Sequence, residues 1–352
     1  NPEMSIYRFD QTKLSGAGVK IHPMDIRKSP LAVLHHRKAV QNLTDLIRRE
    51  KIDLIHCHTP VGGYLGRQAG KKCGRPGIKV IYTSHGFHFY KGAPPVRSAV
   101  FRMIERKLAA GTDIIITINN EDFKSACGFR LKPGGAVYRI PGVGLDTESF
   151  CPPGTQERST CRKRLGIPED AFFLLSVGEL NRNKNHRIMI RAIHKLKAAE
   201  NGGLKIFYGI CGDGPGRRAL EKEIRKLDLE RQVVLYGYCD PVRDYLAGAD
   251  AFAFPSRREG LGMAALEALS MGIPVLAAAN RGTREYIDPG RNGYLFSWRD
   301  AAAFAGGIRR LAERSEAERH SMEVCCRRSV RPFQKERTEE MMRKIYESLD
   351  SA

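Results

Sequence analysis

Short apolar, β-branched runs alternate with longer amphipathic stretches along nearly the whole chain. In the first half the runs fall at 53–56, 79–83, 113–118 and 136–140, with helical periodicity over 31–50, 96–110 and 121–127 among them. In the second half they fall at 172–177, 204–210, 233–236, 251–254, 274–277 and 294–296, again separated by helical patterns. Strand, helix, strand at this rhythm predicts parallel sheets covered on both faces. Breakers at Pro141-Gly142-Val143-Gly144 follow a predicted strand and precede a fresh start of the pattern. The expected organisation is therefore α/β, with two doubly wound, Rossmann-like domains over 1–144 and 145–330, facing each other across a cleft. The segment 331–352 carries a helical pattern (Met341, Met342, Ile345, Leu349) read as packing back on the first domain. Only four strands are predicted in that domain, so one or two opening βα units are expected to be missing. The start at Asn1 rather than at Met reads as a fragment.

Composition changes this picture in two places. The 352 residues carry a net charge of +20, and residues 1–150 hold 24 Lys/Arg against 12 Asp/Glu, more than half of the excess. A basic surface suits nucleic acid, anionic lipid or phosphorylated ligands. No aromatic residues are interleaved with the basic ones in an RNA-binding pattern, which leaves lipid headgroups and diphosphates. Within 97–107, Arg97, Arg102, Arg106 and Lys107 alternate with Val100, Phe101, Met103 and Ile104. Two readings stand: a helix with its apolar side in the core and a solvated basic face, or docking on an anionic membrane. The nine cysteines lack C-x-x-C spacing and imply a reducing, cytoplasmic compartment. His56-Cys57-His58 lies at the end of the apolar run 52–55 without further ligands at suitable spacing, so no metal site is expected.

In doubly wound sheets ligands bind beyond the C-terminal strand ends. There the sequence reads Phe254-Pro255-Ser256-Arg257-Arg258-Glu259-Gly260-Leu261-Gly262-Met263, continuing into a helical Ala264–Leu269 stretch that contains Glu267. Amides at Gly260, Leu261, Gly262 and Met263 would point out of the helix start, where a diphosphate can bind. Glu259 alone could merely complement the helix dipole. Glu267, embedded in Ala264, Ala265, Leu266, Ala268 and Leu269, is harder to explain that way, because an unpaired carboxylate in an apolar face is costly.

These residues carry a resemblance to the family 4 glycosyltransferases that spans nearly the whole chain. The stretch EGLGMAALEALSMGIPVLAAANRGTREYI, 259–287, resembles that family's E-x7-E block. The wording IHCHTPVGG, TSHGFHFYKGAP and VGELNRNKNH resembles its bacterial capsule and exopolysaccharide branch. The resemblance implies the GT-B fold, a retaining outcome and a nucleotide-sugar donor, with UDP as the expected base and phosphates. It also implies that Glu259 contacts the donor sugar, Glu267 the ribose, and His85, in Thr83-Ser84-His85-Gly86, the sugar from the first domain. In the family an Arg stands where this chain has Glu179, five residues before a Lys that matches Lys184. Arg182 is the expected substitute. Gly212, in Cys211-Gly212-Asp213-Gly214-Pro215, and Tyr238 are expected beside the nucleotide. His56 and His88 read as structural.

No D-x-D motif is present, so neither a metal nor another cofactor is implied. Lys184, Arg182 and the helix amides would neutralise the departing diphosphate, commonly a large catalytic term. The expected reaction is a same-face displacement, with a glycan or polyprenyl-diphosphate-linked acceptor in cell-surface polysaccharide synthesis. Cytoplasmic location, with peripheral association at the inner membrane face, follows. The alternatives are a non-catalytic sugar-nucleotide-binding protein or inactive fragment, a sugar-nucleotide epimerase on the same fold and, from the charge alone, nucleic-acid binding.

Overall fold

The structure, a computed structural model, describes residues 14, 16–26, 33–199 and 204–350. The first residues of the predicted 31–50 helix, and the expected opening βα units, lie outside the described residues. Two compact units are present: one reaches Thr117 and includes 122–139, and the other comprises 118–121 and the chain from Ile140 onward.

Unit 1 is a parallel sheet of β1 (Leu54–His58), β2 (Lys79–Ser84), β3 (Ile114–Thr117) and β4 (Ala136–Arg139), in that order. β3 is buried along its whole length, which is why it reads as an unbroken Ile run. Helices α1 (Val33–Arg49), α2 (Pro60–Lys72), α3 (Pro95–Ala109) and α4 (Asn120–Cys127) follow the strands or precede them. α2 begins at Thr59, whose hydroxyl accepts from the Gly62 amide at 3.2 Å, with Pro60 in the first turn. Its glycines face the sheet: a Cβ at Gly63 would come within 2.4 Å of the Tyr82 ring, and one at Gly66 within 2.3 Å of Cys57 Sγ. The same helix buries Arg67, which donates to Glu105 Oε2 at 2.8 Å and lies 4.0 Å from the Tyr82 ring centroid.

Two expectations are corrected here. β1 does not end at His56 but runs through His58, with Cys57 buried in the core. The reading of Val100, Met103 and Ile104 as core-facing also fails. Phe101 alone of that apolar set packs inward, whereas Val96 (77%), Val100, Met103 (64%) and Ile104 are exposed.

Unit 2 is a six-stranded parallel sheet ordered β10-β9-β8-β5-β6-β7. Its strands are β5 (Phe172–Val177), β6 (Ile206–Cys211), β7 (Val233–Gly237), β8 (Ala251–Phe254), β9 (Val275–Ala278) and β10 (Gly293–Phe296). β5 and β8 are neighbours, with Leu174 opposite Ala251 and Leu175 opposite Phe252, so the strand order reverses between them. Loops leaving their C-terminal ends therefore flank the switch point, the favoured ligand position in such sheets. The segment after β10 forms α10 (Ala301–Ala312), α11 (Glu316–Ser329) and α12 (Lys335–Asp350). α12 is counted with unit 2, where the Lys335 amide donates to Leu145 O at 3.0 Å.

Candidate donor site

The loop after β5 is organised by asparagines. Asn181 Oδ1 accepts from the amides of Asn183 and Lys184, both at 2.9 Å, forming a local turn. Asn185 adopts the left-handed conformation at φ 59° and opens α6 (His186–Ala199). The result aims Lys184 at the loop after β8, where its Nζ donates to Glu259 Oε1 at 2.8 Å. Both side chains are mostly buried, at 24% and 14% exposure. The loops are also joined by the Arg257 amide to Asn183 O at 2.9 Å and by Asn183 Nδ2 to Arg258 O at 3.0 Å.

The stretch 260–263 is pinned before it enters α9 (Met263–Ser270). Asn119 Nδ2 donates to Gly260 O at 3.0 Å, and the buried Tyr286 hydroxyl donates to Leu261 O at 3.0 Å. Gly262, at φ 103°, must be glycine, because a Cβ there would lie 2.6 Å from the Phe254 ring. No side chain caps α9 and no acidic residue occupies its first turn. Its first amides thus lack a side-chain acceptor, and the partial positive charge of the helix start is unopposed there.

Glu267 sits on α9 between buried Leu266 and Ala268. It makes no ion pair among the described residues, and burial pushes its carboxyl up to about 6. Glu267 is therefore an acid kept half out of water without a protein partner. No bond joins it to Lys184 or Glu259.

The other expected residues of unit 2 lie in loops that leave the C-terminal ends of its strands. Gly212 packs its backbone on Gly178, where a Cβ would meet Gly178 O at 2.0 Å, and the Gly178 amide donates to Cys211 O at 2.9 Å. Tyr238, beyond β7, is half exposed. Arg182 is exposed. Glu179 is exposed too and accepts from Asn181 Nδ2 at 2.8 Å, so it carries negative charge where a cation was expected.

His85 belongs to unit 1, just past β2. Its Nε2 is 3.0 Å from His58 Nδ1, and the His56 and His58 ring centroids are 4.3 Å apart. His56 Nε2 lies 2.8 Å from Thr83 Oγ1. Burial, then the neighbouring His58 and His85, lowers His56 to about 4. Burial also lowers His58, and burial with His58 lowers His85. The cluster is consequently neutral at neutral pH and can share one proton between His58 and His85. His88 stacks on Phe101, ring centroids 4.9 Å apart. Among the described residues no group of His, Cys, Asp or Glu is arranged to hold a metal ion.

Sequence reasoning missed several residues that build these sites: His58, Asn181, Asn183, Asn185 and Tyr286. The spacing Asn181-x-Asn183-x-Asn185 was a readable turn signal. The contact of His58 with His85 was not readable, because it depends on β1 and β2 being adjacent with His58 opposite Thr83.

Known proteins match along the same lines. The family model for "Glycosyltransferase Family 4" matches residues 6–142, and that for "Glycosyl transferases group 1" matches 157–323. EpsD of Bacillus subtilis (strain 168), a protein named as a glycosyltransferase, is 37% identical over 344 residues, covering 98% of this chain and 88% of EpsD. The UDP-Gal:alpha-D-GlcNAc-diphosphoundecaprenol alpha-1,3-galactosyltransferase of Escherichia coli is 27% identical over 80% of this chain and 72% of its own length. Among solved structures, Anabaena Alr3699/HepE in complex with UDP superposes with a TM-score of 0.76 at 20% identity, covering 97% of this chain and 89% of HepE.

Proposed function

We propose, for a chain that belongs to the family 4-like glycosyltransferases and has the GT-B fold, that it moves a hexosyl group from a UDP-sugar to a glycan or lipid-linked acceptor with retention. The product would belong to exopolysaccharide, capsule or related cell-surface polysaccharide. The observation that carries this reading is the 2.8 Å pair of Lys184 and Glu259 at the switch point, beside the uncapped start of α9. A donor diphosphate would take Lys184 from Glu259 and lie against the amides of Gly260, Leu261, Gly262 and Met263. Glu259, released, would accept from sugar hydroxyls. Glu267, which has no partner among the described residues, would accept from the ribose, with Gly212 and Tyr238 beside the nucleotide. Arg182 adds charge at the exposed side of the same loop, and His85 is assigned to the donor sugar on the resemblance.

In the chemical step the anomeric C–O bond to phosphate breaks, and the acceptor oxygen bonds that carbon on the same face. The acceptor proton goes to the leaving phosphate. Lys184 and the helix amides supply positive charge without a metal. The UDP preference is supported by the UDP complex of HepE and by the donor in the name of the Escherichia coli relative. That name also supports a polyprenyl-diphosphate acceptor.

Peripheral attachment to an anionic bilayer is part of this reading. α3 exposes Val96, Val100, Met103 and Ile104, at i, i+4, i+7 and i+8, with exposed Arg97, Arg106 and Lys107 alongside. No helix of the described residues is long and apolar enough to cross a membrane. Reversing the charges of Arg97, Arg106 and Lys107 is expected to abolish sedimentation with anionic vesicles; unchanged sedimentation refutes the attachment.

Binding and hydrolysis across UDP-, GDP- and ADP-sugars, with this chain and its Glu267→Ala variant, test the central claim. A UDP-sugar is expected to bind and turn over, and the variant to lose it. A folded chain that binds no donor, or binds equally well without Glu267, refutes the donor site.

A further inference from the structure

Beside the donor loops, unit 2 gathers cations round Trp298, the single tryptophan of the chain. The guanidinium carbon of Arg257 lies 4.4 Å from the indole centroid, and that of Arg299 lies 4.2 Å from it. Arg182 is the third member. Burial lowers the Arg257 pKa, and the charges of Arg182 and Arg299 lower it further. None of the three is paired with a carboxylate among the described residues. Arg257 Nε is buried without a hydrogen-bond partner.

The arrangement is held by backbone and amide contacts rather than by chance stacking. Asn185 is buried, and its Nδ2 donates to Pro255 O at 3.2 Å and to Trp298 O at 2.9 Å, tying the loop after β8 to the loop after β10. Its Oδ1 lies 3.5 Å from Arg257 Nη2, a long and weak contact. Stacking on an indole offsets part of the cost of each cation. It leaves the in-plane N–H donors unused, however, and does nothing against the mutual repulsion of three like charges. An anion with several oxygens relieves both, and the planar guanidinium fork fits phosphoryl oxygens in pairs.

We infer that Arg257 and Arg299, with Arg182 beside them, form on the Trp298 indole a binding site for a phosphate or diphosphate group, distinct from the Lys184 position. The inference rests on the donor reading only for the meaning of "distinct"; the cation cluster stands without it. The diphosphate can come from an acceptor or from a nucleotide, and the test separates these sources.

Trp298 is its own reporter, since the whole intrinsic tryptophan emission arises there. The full chain is titrated with inorganic pyrophosphate, with geranyl diphosphate and with UDP while that emission is followed. Pyrophosphate is expected to give a saturable change whose apparent Kd weakens at least tenfold in Arg257→Gln/Arg299→Gln and stays within twofold in Lys184→Ala. Geranyl diphosphate binding more tightly than UDP assigns the site to an acceptor, and the reverse assigns it to the nucleotide. Circular dichroism confirms folding, and Arg299→Gln alone, at an exposed position, serves if the double variant misfolds. The site is overturned by a folded chain giving no saturable change, by an undisturbed titration in the arginine variants, or by equal loss in Lys184→Ala. That last outcome would place the anion at the donor loop and leave the donor reading intact.

Discussion

Glu267→Gln separates what this residue does for the ligand from what it costs the fold. The carboxyl titrates from 4.5 when exposed to about 6 in the folded chain because of burial. Between those values the native state binds more protons than the unfolded state, so stability falls as pH rises through that window. Integrating the two titrations gives a penalty of about 2 kcal/mol at pH 7 and about 0.8 kcal/mol at pH 5. Glutamine has nearly the same shape and does not ionise. The variant is therefore expected to exceed the parent chain in stability at pH 7 by up to about 2 kcal/mol, less any cost of an unpaired amide. For a unit of this size that is an upward shift of roughly 4 to 8 °C in Tm. Thermal unfolding of both chains from pH 5 to pH 7.5, followed by circular dichroism, measures the gap, which should narrow by about 1.2 kcal/mol between pH 7 and pH 5. Donor affinity should fall at least tenfold in the same variant. A gap that does not change with pH would show that the carboxylate is not penalised by burial. A less stable variant at pH 7 would show that it has a stabilising partner, and unchanged donor affinity would remove it from the site.

Lys184→Ala removes the cation that donates to Glu259 Oε1 and is expected to lower kcat/KM by about 100- to 1,000-fold, a loss of comparable size to removing one oxyanion donor; steady-state kinetics with the preferred donor decides, and a loss under threefold would refute the assignment. Arg67→Met leaves Glu105 buried and unpaired, so unit 1 should lose about 3 to 5 kcal/mol in urea unfolding at pH 7, with the loss shrinking as Glu105 takes up a proton in acid. His58→Ala removes a neighbour that lowers the His85 pKa, so His85 should titrate higher in the variant by proton NMR. All three lowered histidines bind fewer protons folded than unfolded, so their contribution to stability is lost as pH falls below 6.5, for His56 down to about 4, and the variant should show a shallower acid loss of unit 1.

The strands were legible because a parallel sheet covered on both faces demands continuous apolar runs, and β5 and β8 fall at the residues predicted for them. Legibility failed where one face admits polar groups. Among the described residues β1 pairs only with β2, and its end, His56-Cys57-His58, alternates polar and buried residues and reads as a strand end. α2 was illegible for a different reason: Gly62, Gly63, Gly66 and Gly70 look like breakers, yet the facing glycines exist to let the helix touch Tyr82 and Cys57. The isolation of Glu267 among small apolar residues announced its burial. The Lys184–Glu259 pair could not be read, since it requires β5 and β8, distant in sequence, to be adjacent in the sheet.

That adjacency also sets where charge stands around the β5 loop. Glu179 points negative charge toward solvent and is occupied with Asn181, so it contributes nothing attractive to a diphosphate. The same asparagine turn that holds Glu179 delivers Lys184 inward, and the loop joined to it through Asn183 brings Arg257 alongside. Positive charge thus stands at the far end of the β5 loop, at Lys184, and on the β8 loop, at Arg257. Among the described residues one of these cations has a counter-ion, Glu259, and the arginines at Trp298 have none. A paired cation must be taken from its partner before it can serve a ligand, which favours an occupant that also engages the partner, as a sugar diphosphate does with its hydroxyls. Unpaired cations impose no such exchange and accept any phosphoryl group that reaches them. On the proposed reading the two clusters differ in selectivity as well as in place: discrimination among donors would belong to the Lys184–Glu259 pair, and general attraction for phosphate to the arginines.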